Sequence, residues 1–359
     1  MPKGKKPTVN ETLMDKMTLH DLRLQHVSNG TARRARKLLF AAHEDVMEQL
    51  QGRLERAARK GFDTGPVTTK RLQDLGAAFR RQTKALMPET RALIAGEAVE
   101  GAADEVAYLN KLVTDTVPID VSFLAPSAAT IRNAALMTPF EGKVLSEWTQ
   151  KLGRDTLSRF NQQVRIGLVT GEDYRQIARR IRGTRNRGFR DGVLGWQRYE
   201  AETLARTATA HARAVVRNET FQENSHLLKG VRWSATLDTR TCLRCAALDG
   251  RTWDIGQAHP EVPLHFSCRC SLLGIVKSFR ELGFDIDDLP PGTRAALGGE
   301  VPSTMNYPQW IKQQPASVQL ESLGRGRYER MKGGEGVGDF VNRQNRILTL
   351  KELRAKEGR

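Results

Sequence analysis

Gln197-Arg-Tyr-Glu-Ala-Glu-Thr-Leu-Ala-Arg-Thr-Ala-Thr-Ala-His-Ala-Arg-Ala-Val-Val-Arg-Asn-Glu-Thr-Phe-Gln-Glu-Asn224, and after Gly230 the run Val231-Arg-Trp-Ser-Ala-Thr-Leu237, hold the change of pattern that decides the fold. In the first stretch Ala201, Leu204, Ala208, His211 and Val215 recur every three or four residues, which puts them on one stripe of a helix. Its small residues suit close packing against a neighbour. The second stretch alternates and carries Trp and β-branched residues, the pattern of a half-buried strand. Asp249-Gly250 predicts a hairpin turn before Arg251-Thr-Trp-Asp-Ile255, so a compact β-containing module is expected over residues 229–280. The expected fold class is α+β, predominantly α: long helical N-terminal and central regions, a small Cys/His β module and a C-terminal extension.

Upstream, Leu39, Ala42, Val46, Leu50, Leu54 and Ala57 keep helical spacing from Thr31 to about Lys60, with Asn29-Gly30-Thr31 offering a cap. A second helix is expected from Thr68 to Met87 and a third from Glu89 to Asp115. Pro88 separates them, because proline lacks a backbone donor and disfavours a helical residue before it. Pro118, Pro126 and Pro139 mark residues 116–142 as an extended connector. A long helix then fits Gly142 to Leu168, and a short one Tyr174 to Arg182, capped by Thr170 or Asp173. Downstream of the module, four Gly and four Pro between Gly283 and Pro308 read as a linker, followed by helices at Gln309 to Ser322 and Leu350 to Lys356. Gly324, Gly326, Gly333, Gly334, Gly336 and Gly338 read as a mobile loop, since no strand and phosphate-binding pattern frames them. The expected domains are a helical region (1–115), a central helical core (116–228), the β module (229–280) and a linker with a C-terminal extension (281–359).

The chain has 359 residues, 39% hydrophobic and 27% charged, which excludes a wholly disordered or collagen-like protein. Its net charge of +16 recruits polyanions, with nucleic acid the first suspect and an acidic protein partner the alternative. The best apolar run, Ser271-Leu-Leu-Gly-Ile-Val276, falls far short of the roughly 18 residues of a membrane span, so no membrane role is expected. Met1-Pro-Lys-Gly-Lys-Lys6 has no apolar core behind it and does not read as a secretory leader.

Cys242-Leu-Arg-Cys245 followed by His265-Phe-Ser-Cys268-Arg-Cys270 carries the sharpest chemistry. Zinc takes four thiolate or imidazole ligands in a tetrahedron, and two cysteines separated by two residues supply half of that shell. Cys242, Cys245, His265, Cys268 and Cys270 are five candidates for four places, and spacing does not choose among them. Alternatively the thiols pair as disulfides or line a small core with His265 idle. A zinc with four protein ligands has no place for substrate, so its role would be structural, closing a module too small to bury much apolar surface. A second feature is Arg175-Gln-Ile-Ala-Arg-Arg-Ile-Arg-Gly-Thr-Arg-Asn-Arg-Gly-Phe-Arg190, seven arginines without an acid. Arg175, Arg179, Arg180, Arg182, Arg185, Arg187 and Arg190 suit phosphate oxygens, and with no groove-reading motif any DNA contact would ignore sequence. The alternative is a solvated face or a surface for acidic protein. His211 reads as a packed histidine. A metal-dependent nuclease of the Cys-framed ββα type is a rival reading, with His259 and His265 available but no histidine after Cys270. A non-specific DNA-binding zinc module is a third.

Leu204-Ala-Arg-Thr207, Trp233 and Asp238 before Cys242-Leu-Arg-Cys245, then Leu248-Asp-Gly250 and Pro263-Leu-His-Phe-Ser-Cys-Arg-Cys270 together resemble the Mu F-like minor head protein family of tailed bacteriophages, over about residues 140–280. Ile166-Gly-Leu-Val-Thr-Gly171, with Ile177 and Ile181 behind it, resembles the family's entry into this core, and the tail from Tyr307-Pro-Gln-Trp310 to Leu353 is similar to an extension in some members. The resemblance implies a low-copy structural protein of the virion head, made in the host cytoplasm and recruited through portal and capsid proteins. It also implies a place near packaged double-stranded DNA, with a part in packaging or ejection. No enzymatic activity and no small-molecule substrate are implied, and the tail shows no catalytic constellation of the kind a toxin domain would carry.

Overall fold

The computed structural model describes residues 9–59, 66–116, 122–278, 280–282 and 293–357. The basic N-terminal residues 1–6 and the first part of the expected linker lie outside them. Helix covers 65% of the described residues, and the strands among them are few and short, as the α+β reading required.

The helices are α1 (Val9–Arg59), α2 (Pro66–Thr116), α3 (Ala128–Met137), α4 (Leu145–Val169), α5 (Tyr174–Arg182), α6 (Val193–Glu223), α7 (Leu243–Leu248), α8 (Tyr307–Lys312), α9 (Ala316–Leu323), α10 (Arg325–Lys332) and α11 (Leu350–Glu357). Five strands, β1 (Leu228–Ser234), β2 (Thr252–Asp254), β3 (Ser271–Val276), β4 (Thr293–Ala296) and β5 (Gly299–Pro302), form a three-stranded antiparallel sheet in the order β2-β1-β3 and a separate β4-β5 hairpin.

Several elements differ from expectation. Pro88 lies inside α2 and does not divide it. Burial of Leu86, Met87, Ile94 and Ala98 on either side outweighs the roughly 3 kcal/mol that an interior proline costs. The supposed connector contains α3, whose Ile131, Ala134 and Ala135 are buried. Asp249-Gly250 does not turn a tight hairpin, because α7 intervenes between β1 and β2. Gly250, at φ +83°, carries the chain from that helix back to the sheet, where its N–H donates to Trp233 O (2.9 Å). The supposed linker holds β4 and β5, joined through Leu297-Gly298, and Leu297 N–H donates to Leu237 O at 2.8 Å. The glycine-rich tail is not a loop: Gly326 sits in α10, and Val337–Phe340 forms a 3-10 turn that buries Val337 and Phe340. The expected helix over Gln309 to Ser322 is two, α8 and α9, divided just before Pro315.

The chain comprises two compact units. The first takes residues up to Gln25, Ala103–Thr130 and Ala214 onward; the second takes His26–Ala102 and Ile131–Arg213. In the second, Val46, Met47, Leu75, Phe79, Phe160, Ile177, Ile181 and Leu194 form a core, with Phe79 and Phe160 stacked at 4.0 Å. His43 is buried there. Its Nε2–H donates to Gln197 Oε1 (2.7 Å), and Nδ1 accepts from Arg198 Nη1 (3.0 Å). Burial foremost, together with the Arg198 charge and against the Gln197 bond, lowers its pKa to about 4.

In the first unit one core joins Leu13, Met17, Leu109, Leu112 and Phe221 to Val231, Trp233, Leu272 and Leu273 of the sheet. The β module therefore does not stand alone, which removes the expectation that its core is small. Beside it Arg217 is enclosed, donating Nε–H to Glu105 Oε1 (2.7 Å), Nη2–H to Asp21 Oδ1 (2.7 Å) and Nη1–H to Leu272 O (3.1 Å). Burial opposes the Glu105 charge, yet Arg217 and then His20 hold its pKa down to about 2. A further core joins Leu237, Leu243 and Ala246 to Tyr307, Trp310, Ile311 and Phe340 of the tail.

Candidate metal centre

All five candidate donors converge at one end of the three-stranded sheet. The register pairs Ser234 with Ser271, so the last residue of β1 lies opposite the first of β3. Cys268 and Cys270 immediately precede β3. From β1 the chain reaches Cys242, the N-cap of α7, and Cys245 lies within that helix because Ala246 N–H donates to Cys242 O at 2.9 Å. On the other side Cys268 N–H donates to His265 O (3.1 Å) across a turn through Ser267, which sits at φ +58°.

The donor atoms form two triads that share Cys245: Cys242, Cys245 and His265, and Cys245, Cys268 and Cys270, each with all atoms within 4.8 Å of one another. Cys245 Sγ and Cys268 Sγ are 3.7 Å apart, against the edge of about 3.8 Å that a tetrahedron of zinc–sulfur bonds requires. His265 Nε2 lies 3.2 Å from Cys242 Sγ and 3.4 Å from Cys245 Sγ. Its Nδ1–H donates to Phe266 O at 2.8 Å, which turns the Nε2 lone pair toward the sulfurs. Metal-ligating histidines are fixed in this manner. The thiols are free, so the disulfide alternative is not what the structure holds.

The electrostatics divide the sulfurs: hydrogen bonds to Cys242 and Cys268 push the Cys245 thiol up, and against a lowering bond from Cys245, Cys268 and burial raise Cys270, while Cys242 and Cys268 move the other way. Hydrogen bonding to Cys245, then to His265, draws the Cys242 pKa down to about 4, while hydrogen bonds to Cys242 and Cys268 raise His265 to about 11. Cys268 is likewise held in its thiolate form, chiefly by Cys245 and Cys270. A divalent metal bound here would displace the protons that these thiols and the imidazole share. The two triads offer a metal ion one donor more than the four that a tetrahedral zinc takes, and an ion bound there would crosslink α7 to the start of β3.

Two supporting residues escaped the sequence reading. Arg269, between two of the cysteines, places both Nη atoms on Asp238 at 2.5 and 2.6 Å and so clamps the Cys268–Cys270 loop to the segment leading into α7. Burial opposes ionisation of Asp238, but the Arg269 hydrogen bonds and charge lower its pKa. Asp249, fully enclosed, accepts from Ala235 N (2.7 Å), Tyr307 N (2.7 Å) and Arg294 Nη1 (3.1 Å). The Asp-Gly pair had signalled a turn and a motif of the resemblance, not a buried carboxylate. His259 joins neither triad. Its Nδ1 is 3.1 Å from Pro260 O and its ring tilts against Trp253. His211 packs against Phe140 and donates Nε2–H to Thr138 O at 3.1 Å.

The arginine-rich segment belongs to α5 and the loop after it. Arg180 grips Glu172 with both ends of its fork (2.6 and 2.5 Å), and Arg182 pairs with Glu44 at 3.1 Å while lying over Phe189. Arg175 covers Tyr174. Arg179, Arg185, Arg187 and Arg190 are exposed. The loop is pressed onto the first turn of α6. A Cβ on Gly192 would lie 2.2 Å from Gly183 N, and one on Gly195 would lie 2.3 Å from Phe189 O, so neither position admits a side chain.

Fold and site define a predominantly helical protein whose cysteines and histidine form a donor cluster able to hold a metal ion. Residues 158–273 match the model of the family described as Phage Mu protein F like protein, and over this stretch the resemblance carried by the motifs holds. The stretch contains the arginine-rich segment and every candidate metal donor. No curated protein and no solved structure matches the chain.

Proposed function

We propose that the protein is a structural component of a tailed-phage head, acting in head morphogenesis, with a zinc that fastens its β module and no reaction of its own. The observation that carries this reading is the coincidence of the Mu F-like match with the donor cluster: the matched stretch begins in α4 and ends in β3, just beyond Cys270. Portal and capsid proteins are the partners, and the exposed Arg179, Arg185, Arg187 and Arg190 face packaged double-stranded DNA in the head interior. Both are consistent with the charge of +16. Among the described residues no helix is long and apolar enough to cross a membrane.

Two features disfavour the nuclease alternative. Its hairpin would have to precede the helix, whereas α7 lies between β1 and β2, and His259 is occupied away from the sulfurs. Co-expression with the portal protein of the same phage, followed by affinity capture of the portal, tests the proposal: the chain should co-purify. Failure to do so, together with metal-dependent nicking of plasmid DNA that His265→Ala abolishes, would replace it with the enzyme.

A further inference from the structure

Between α2 and α4, within the second unit, a groove of about 460 Å3 is lined by Arg80, Thr83, Lys84, Met87, Pro88 and Arg91 of α2 and by Thr149, Gln150, Gly153, Arg154 and Leu157 of α4. The α2 residues fall at successive helical turns and share one face. No carboxylate lines the groove. Arg80, Lys84, Arg91 and Arg154 are all exposed, and none forms an ion pair with another described residue. The nearby acids of α4 are otherwise engaged: Asp155 pairs with Lys151, and Glu147 accepts from Val144 N (2.9 Å) at the helix N-terminus.

Four cations around one concavity, none paired with an acid among the described residues, repel each other, and burying opposite charge among them relieves that repulsion. We infer that this groove binds a nucleic-acid backbone, with phosphates held by Arg80, Lys84, Arg91 and Arg154 and sugars resting on Met87, Pro88 and Leu157. Arg80 to Arg91 spans about 16 Å of helix, and Arg80 and Lys84 are about 6 Å apart along the axis, close to the spacing of successive phosphates in one strand. Three of the four cations are arginines, whose forks take phosphate oxygens two at a time. The groove lies outside the residues matched to the Mu F-like family, and none of its lining residues belongs to the arginine-rich segment. The inference rests on the proposed function only in assuming that the chain works beside DNA.

The test uses the full-length protein and a fluorescein-labelled duplex of about 30 base pairs, with the matching single strand as a second probe. Anisotropy titrations between about 50 and 200 mM KCl give the slope of log K against log salt, which changes by about 0.9 for each duplex phosphate that the protein no longer neutralises and by about 0.7 for each in single strands. Changing Arg80, Lys84, Arg91 and Arg154 to Gln should flatten the duplex slope by about 3 to 4, and Arg154→Gln alone by about 1. The parallel Arg179, Arg185, Arg187 and Arg190 to Gln variant reports the other surface separately. An unchanged slope in both groove variants, with thermal melting like that of the parent protein, overturns the groove. So does binding of a poly-glutamate peptide that is abolished in the groove variant while the DNA slope stays the same. A flattened slope combined with failed portal capture would keep the groove and sink the head-assembly reading instead.

Discussion

Cys268 and Asp238 test the metal centre from inside and outside the donor set. Protein purified under reducing conditions should contain about one zinc per chain, Cys268→Ser should carry less than about a tenth of that, and Asp238→Asn should bind zinc about 10- to 100-fold more weakly because the Arg269 clamp is released. Zinc retained in full by Cys268→Ser would remove that sulfur from the shell. Two buried groups set a pH dependence. Glu105, at about 2 in the fold against an ordinary 4.5, stabilises the fold fully above pH 4.5 and loses that contribution as pH falls toward 2. His43, at about 4 against 6.5, resists protonation, so its contribution is complete above pH 6.5 and declines between 6.5 and 4. The melting temperature should therefore drop in two stages on acidification, and His43→Gln should flatten the upper one. The donors were legible because metal chemistry restricts residue types and fixes short spacings. Arg269, Asp238 and Asp249 stood out only as part of the family resemblance and their roles were not legible, since each finds its partner only after distant segments meet: Asp249 and Arg294 are 45 residues apart in sequence.

The elements divide in the same way. Tyr174 to Arg182 was legible to the residue, because Asp173 caps it in the manner its side chain dictates, accepting from Gln176 N at 2.8 Å. The β1 and β2 strands were legible from alternation and from β-branched and aromatic content, whereas Ser271–Val276, which is β3, stood out in the sequence only as an apolar run. Pro88 misled because local rules weigh one missing hydrogen bond and a steric clash, whereas the folded protein weighs them against the apolar burial of two flanking turns. Pro88→Ala should accordingly stabilise the protein by about 1 to 3 kcal/mol, read as a shift in urea midpoint at unchanged m-value. A destabilised variant would mean that the chain needs the local geometry proline imposes. The β4-β5 hairpin was hidden by glycines and prolines, which signal a linker and a tight turn alike.

In the whole molecule, apolar periodicity pointed correctly to a predominantly helical protein, but no local pattern announces that the tail and the metal-bearing module share a core. Leu237, Leu243 and Ala246 are buried with Tyr307, Trp310 and Phe340, while the Asp249 carboxylate is satisfied by the Arg294 guanidinium and the Tyr307 amide. A polypeptide ending near residue 280 would keep every zinc donor yet leave that carboxylate unpaired and an apolar face of α7 wet, at a cost of about 3 to 5 kcal/mol for the broken ion pair alone. Its melting temperature should fall well below that of the full chain even with zinc in excess. Excising the recognisable motif as a minimal fragment would consequently yield an aggregating product, since Leu13 and Met17 from the front and Trp310 and Phe340 from the tail both complete cores that the motif shares.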